Sequence, residues 1–135
     1  MLENTLRVLV ADDIASNRTI VGAFLAHLNC TPLYAADGQE AVDLFRREAP
    51  DVVLMDVSMP DRNGIDSLKM IRKENPRLPV LMLSMHPEEQ YAIRALRAGA
   101  AGYLSKQGAP EQLVTAIRQV ASGKKFVSAA VAEEL

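Results

Sequence analysis

Five side chains in this 135-residue sequence could together manage a phosphoryl group: Asp12, Asp13, Asp56, Ser84 and Lys106. Three carboxylates brought close repel one another and raise one another's pKa unless a cation intervenes. An all-oxygen cluster suits a hard ion that keeps some of its waters, which points to Mg²⁺. Lys106 adds a point positive charge and Ser84 a hydroxyl. A carboxylate within such a group can also act as the nucleophile and form an aspartyl phosphate. Taken singly, each residue has an ordinary role: an Asp after a strand caps a helix or turn, a Lys is a solvated charge and a Ser a turn residue. The case therefore rests on whether the chain brings all five to one place.

Each of the five follows a short apolar run. The runs are LRVLVA (6–11), TPLYA (31–35), DVVLM (51–55), PVLML (79–83) and AGYL (101–104). Between them lie longer stretches with helical spacing. Ile20, Phe24 and Leu28 lie four apart, joined by Val21 and Leu25. Ala41, Leu44 and Phe45 form a second stripe, and Ile65, Leu68 and Ile71 a third. Ala92, Ala95, Leu96 and Gly99 form a fourth, and Leu113, Ala116, Ile117 and Val120 a fifth. Asp37 and Glu40 have capping-box spacing, and Pro110 suits the first turn of the last helix. The pattern is strand then helix, five times. Runs one, three and four are apolar on both faces, which predicts a parallel sheet covered on both sides, hence a doubly wound α/β fold. Such sheets bind ligands outside the carboxyl ends of their strands. Asp12 and Asp13 follow run one, Asp56 and Ser58 run three, Ser84 and His86 run four, and Lys106 run five. After Gly123 the sequence KKFVSAAVAEEL reads as a tail with some helical tendency.

Length fits one domain, expected over 1–122, with 123–135 as a tail or the start of a linker. Hydrophobic residues at 49% and charged residues at 24% support a packed core and argue against disorder. A net charge of -2 gives no electrostatic reason for direct binding to nucleic acid or to an anionic membrane. Cys30 is the single cysteine, so an intrachain disulfide is excluded and a reducing, cytoplasmic location is expected. No apolar stretch reaches the length of a membrane span, and MLENTLRVLV lacks a signal-peptide layout. Met55, Met59, Met70, Met82 and Met85 read as packing or rim residues.

The motifs VLVADD (8–13), DVVLMDVSMPDRNG (51–64), LMLSM (81–85) and GYLSK (102–106) resemble the receiver domain of two-component response regulators. The likeness covers residues 6 to about 122. It implies a flavodoxin-like, five-stranded parallel sheet in order 2-1-3-4-5, the topology that general accounts of this fold illustrate with a chemotaxis receiver. It implies that Asp56 is the phosphoacceptor, and that Asp13 and Asp56 bind Mg²⁺ directly, with Asp12 acting mainly through water. The backbone carbonyl of Ser58 would complete the protein ligands. Lys106 would pair with the carboxylate and then the phosphoryl oxygens, Ser84 would be the switch hydroxyl, and Tyr103 the aromatic that changes rotamer. Such a protein catalyses only its own phosphorylation and dephosphorylation. A histidine kinase is the expected donor, with small phosphodonors as substitutes. Phosphorylation would shift the population of states at the face made by helix four, strand five and helix five.

The sequence departs from many receivers at Gln107, where they carry proline after a cis bond. A cis bond before a non-proline residue costs about 2.5–4 kcal/mol, so a trans bond or a site-imposed exception is expected. Regulators with a LuxR-type helix-turn-helix commonly lack that proline. DRNGID (61–66), LSMHPEEQYAIRALRAGAAGYLSK (83–106) and the tail resemble the same group. There the tail leads to a DNA-binding output domain; here the expectation is a receiver trimmed from such a protein or one that stands alone. NRTIVGAFLAHLNC (17–30) and AADGQEAVDLF (35–45) resemble instead receivers of hybrid histidine kinases. The likenesses meet near Met59 to Asn63, as in a mosaic, natural or engineered, or after drift within one subfamily. Ser58 and His86, each two residues beyond a site residue, would flank the path of water to an acyl phosphate and tune its lifetime; the plainer role for His86 is a cap or surface residue. Regulators of this group often form homodimers, through helices one and five or through the helix-four, strand-five, helix-five face.

Two other functions compete. A phosphatase of the haloacid dehalogenase type also uses an aspartyl phosphate, but it wants DxD, and the second position here is Ser58. It also carries its nucleophile on an early strand. A phosphate-independent scaffold would not need Asp12, Asp13, Asp56, Ser84 and Lys106 together. A nucleotide-binding loop is weaker still, since neither GxxxxGK[ST] nor GxGxxG occurs.

Overall fold

The computed structural model describes residues 6–26, 28, 30–56, 64–84, 89–105 and 110–127. Ten elements alternate: β1 (Leu6–Ala11), α1 (Ala15–Ala26), β2 (Cys30–Ala35), α2 (Gly38–Glu48), β3 (Val52–Asp56), α3 (Gly64–Glu74), β4 (Val80–Ser84), α4 (Glu89–Arg97), β5 (Gly102–Ser105) and α5 (Pro110–Ala121). The strands form one parallel sheet in the order β2-β1-β3-β4-β5. This is the predicted α/β topology. β3, β4 and β5 each begin and end one residue later than the apolar runs suggest, so Asp56 and Ser84 are the last residues of their strands.

The sheet separates two cores, as burial on both faces of a parallel sheet requires. One holds Leu9, Val53, Met55 and Met82 under α2, α3 and α4, through Val42, Phe45, Leu68, Ile71 and Ala95. The other holds Val8, Val10, Leu54 and Leu81 under α1 and α5, through Leu25, Ala116, Ile117 and Val120. Every residue of β3 is buried, and β3 carries Asp56 at its end.

α2 shows how sequence sets a helix start. The Asp37 carboxylate accepts from the Glu40 N–H at 2.8 Å, and the Glu40 carboxylate reaches back to the Ala36 N–H at 2.9 Å. The first bond satisfies one of the N-terminal donors that the helix leaves open, and the second ties the residue before the cap to the first turn. The expected face of α1 is corrected. Leu25 is its one buried residue, Val21 and Leu28 pack at the edge of the same core, and Ile20 is 55% exposed. On a single turn Ile20 and Val21 are nearly equivalent by spacing; packing against β1 and α5 selects Val21. α1 also carries Gly22, where a Cβ would lie 2.0 Å from the hydroxyl of Tyr34 on the neighbouring edge strand.

After α5, residues 124–127 are not helical, while the rest of the tail in which helical tendency is expected, 128–135, lies outside the described residues. Gly123 takes φ +94°, a left-handed conformation that glycine adopts without strain. The Gly123 N–H donates to the Val120 carbonyl and the Lys124 N–H to the Gln119 carbonyl, the paired bonds of a Schellman cap. The chain then turns back, and Phe126 forms a parallel bridge with Gly102 on the outer edge of β5.

Candidate metal centre

Parallel register places the acids. Ala11 pairs with Met55, so Asp12 and Asp56 emerge side by side at the carboxyl ends of β1 and β3. Asp56 pairs with Leu83 and Ser84 with Ser105, which carries the same end of the sheet across β4 and β5. One carboxylate oxygen from each of Asp12, Asp13 and Asp56 lies within 4.8 Å of the others. Asp12 is 3% exposed and Asp56 6%, whereas Asp13 faces solvent. Two buried acids and an exposed third make a half-open, all-oxygen pocket mouth. That donor set fits a hard divalent cation with open positions for water or a ligand.

Asp12 is held from several sides. Its N–H donates to the Ala35 carbonyl at 3.0 Å, tying the ends of β1 and β2. One of its carboxylate oxygens accepts from the Ile14 N–H at 3.0 Å, and the other from Asn17 Nδ2 at 3.4 Å. The Arg18 guanidinium donates to the Asp12 carbonyl at 2.6 Å. Asn17 and Arg18 were not singled out by the sequence reading. They lie five and six residues on, and only the entry of α1 immediately after the acids brings that turn back over Asp12. The signal available was the pair of polar residues in the first turns of the helix after Asp12-Asp13.

Tyr103 lies on β5 opposite Met82, half-buried, with its hydroxyl oxygen shielded from solvent. Ser84 is placed at the end of β4 as a backbone position. Ser58, His86, Lys106 and the Lys106–Gln107 bond lie outside the described residues, as do Met59 and Met85. Met55 and Met82 are fully buried and Met70 packs at the core edge. Cys30 opens β2 and is buried, and burial pushes its thiol pKa up. Among the described residues no helix is long and apolar enough to cross a membrane.

The response regulator receiver domain family matches residues 8–118. Response regulator UvrY of Escherichia coli (strain K12) is 35% identical over 132 residues, covering 96% of this chain and 61% of that protein. The alignment thus takes in both sides of residues 59–63. The chain spans about three fifths of the length of the curated relatives it matches. A LuxR-family two-component response regulator from Aurantimonas sp. SI85-9A1 superposes with a TM-score of 0.90 at 32% identity, covering 97% of this chain and 95% of the other. The isolated REC domain of RcsB from Salmonella enterica serovar Typhimurium, solved in the presence of phosphomimetic BeF3-, gives 0.85 at 26% identity, covering 98% and 99%. With the β2-β1-β3-β4-β5 sheet and the acids at its carboxyl end, these likenesses establish that the chain belongs to the response regulator receiver domain family.

Proposed function

We propose that Asp56 is the phosphoacceptor of this receiver and that a histidine kinase is its donor. The observation that carries this is the convergence of Asp12, Asp13 and Asp56 within 4.8 Å at the carboxyl end of the sheet, with Asp56 fixed by a fully buried strand. A carboxylate oxygen of Asp56 attacks the phosphorus in line. The bond from phosphorus to the donor nitrogen or oxygen breaks, and the leaving group departs with that electron pair. Mg²⁺, held by Asp13, Asp56 and the Ser58 carbonyl and by Asp12 through water, would offset the negative charge of the phosphoryl oxygens. Asn17 and Arg18 keep Asp12 in place during this exchange. In this reading Lys106 supplies a cation to the acyl phosphate and Ser84 a hydroxyl, while Ser58 and His86 tune its lifetime against water. Beyond its own phosphorylation and dephosphorylation the chain has no reaction in this reading.

The phosphorylated site carries roughly -1.5 to -2 of charge and three acceptor oxygens. Drawing Ser84 toward them frees space for Tyr103, and the α4–β5–α5 face shifts between two populations. In the longer proteins of this group that face would control a DNA-binding output domain. We assign 1–122 to the receiver and 123–135 to the beginning of the connection, in a cytoplasmic protein. The test is intact mass after incubation with Mg²⁺ and acetyl phosphate. A phosphate adduct is expected, and it should vanish in Asp56→Asn. Turnover of unrelated phosphomonoesters would point to a phosphatase, and lack of an adduct with any donor to a scaffold.

A further inference from the structure

The segment after α5 is anchored to β5 in three successive steps. The cap at Gly123 reverses the chain. The Gln119 side-chain amide then donates to the Lys125 carbonyl. Finally the Phe126 N–H donates to the Ala101 carbonyl at 2.8 Å, and the Tyr103 N–H donates to the Phe126 carbonyl at 3.4 Å. Gly102 is required at the centre of this clasp. A Cβ there would meet the Phe126 carbonyl oxygen at 2.6 Å and Leu81 Cδ1 at 2.9 Å. Register carries the side chains too. Phe126 packs with the core on the α1 and α5 side of the sheet. Val127, one residue on, packs with the opposite core, on the same side as Tyr103. Lys125 to Val127 therefore act as a rudimentary sixth strand, hydrogen-bonded to the backbone of Tyr103 itself.

We propose that this clasp senses the state of Tyr103 and passes it to the chain beyond Val127. The inference rests on the reading of Tyr103 as the residue that moves when Asp56 is phosphorylated, and it adds a route by which that motion leaves the domain. Tyr103 and Val127 pack against the same core and the Tyr103 N–H bonds Phe126, so a rotation of Tyr103 bears on the packing of the one and the pairing of the other. Coupling of this kind is reciprocal: if Tyr103 biases the clasp, loss of the clasp biases Tyr103.

Two measurements on the 135-residue chain decide it. In the first, amide exchange at Phe126 is followed by NMR without and with Mg²⁺ and beryllofluoride, while fluorine NMR reports the adduct at Asp56. The expected result is about a tenfold change in the exchange rate at Phe126, within the usual range of allosteric coupling. An adduct with an unchanged rate overturns the proposal. The second needs no phosphoryl mimic. Phe126→Pro removes the donor to the Ala101 carbonyl, and Gln119→Ala is the milder release should the proline variant fail to fold. The Tyr103 ring resonances should move in the variant while those of Tyr34, at the far edge of the sheet, stay in place. Unmoved Tyr103 resonances overturn the proposal. Failure to form any adduct would count against Asp56 as phosphoacceptor, and the second measurement would still decide whether Tyr103 and the clasp are coupled.

Discussion

Replacing Asp13 by asparagine should stabilise the metal-free protein, although it removes a residue of the proposed site. The three carboxylates lie within 4.8 Å of one another. At that separation a pair of unit charges repels by about 0.9 kcal/mol at the dielectric of water and about 3.5 kcal/mol at an effective value near 20. Asp13 is exposed, so the watery limit governs its two pairs, and salt screens them further. The relief is then roughly 1–2 kcal/mol. For a chain of this length that raises Tm by about 3–8 °C. Magnesium should reverse the ranking. A ligand at a hundred times its Kd adds about 2.7 kcal/mol to the state that binds it. Wild type should therefore gain more from Mg²⁺ than Asp13→Asn does. The assay is thermal unfolding in chelator and across a magnesium titration. If Asp13→Asn melts at or below wild type in chelator, the acids do not repel as described. If Mg²⁺ leaves the wild-type Tm unchanged, the cluster is not a metal centre.

Three other outcomes are expected. Leu25→Ala should cost about 2–5 kcal/mol in denaturant unfolding, because Leu25 is fully buried, while Ile20→Ala on the same helix should stay within about 0.5 kcal/mol. The Arg46 guanidinium hydrogen-bonds Glu74 and holds its carboxyl below the usual carboxylate range. A depressed folded pKa contributes stability above the unfolded value that is lost as pH falls through the folded one. Glu74→Gln should thus lower Tm slightly at neutral pH, leave it unchanged at low pH, and so flatten the acid limb of a Tm-against-pH curve. Burial raises the Cys30 thiol pKa and shields it, so an aromatic disulfide reagent should react slowly in buffer and fast in denaturant. Fast reaction in buffer would contradict the packing of β2.

Elements that bury an unbroken apolar run were the easiest to read. VVLM ahead of Asp56 reads as a buried strand, and together with the runs at 6–11 and 79–83 it implies a sheet covered on both sides. The Asp37–Glu40 pair fixed the start of α2 to the residue, because capping is local chemistry. The site was legible where strand order made neighbours of sequence-distant acids, since Asp12 and Asp56 need only the pairing of β1 with β3. What sequence did not yield depends on long-range contact. Ile20 and Val21 are chemically alike, and only the positions of β1 and α5 decide between them. Asn17 and Arg18 carry no mark of their contact with Asp12, which depends on α1 starting directly after the acids. The bridge at Phe126 needed the edge of β5, and four residues cannot announce a partner 24 positions earlier.

The shallow seating of α1 affects the order in which the molecule comes apart. α2 buries four side chains or glycines and α3 five, whereas α1 buries Leu25 alone and carries Gly22 in its middle. Segments with few buried contacts open at a free energy well below that of global unfolding. α1 should be such a segment, and Asn17 and Arg18 leave with it. Asp12 would then lose two of its supports while the sheet beneath stays intact. Brief departures of one helix, rather than the stability of the whole domain, would then limit how long the centre stays assembled.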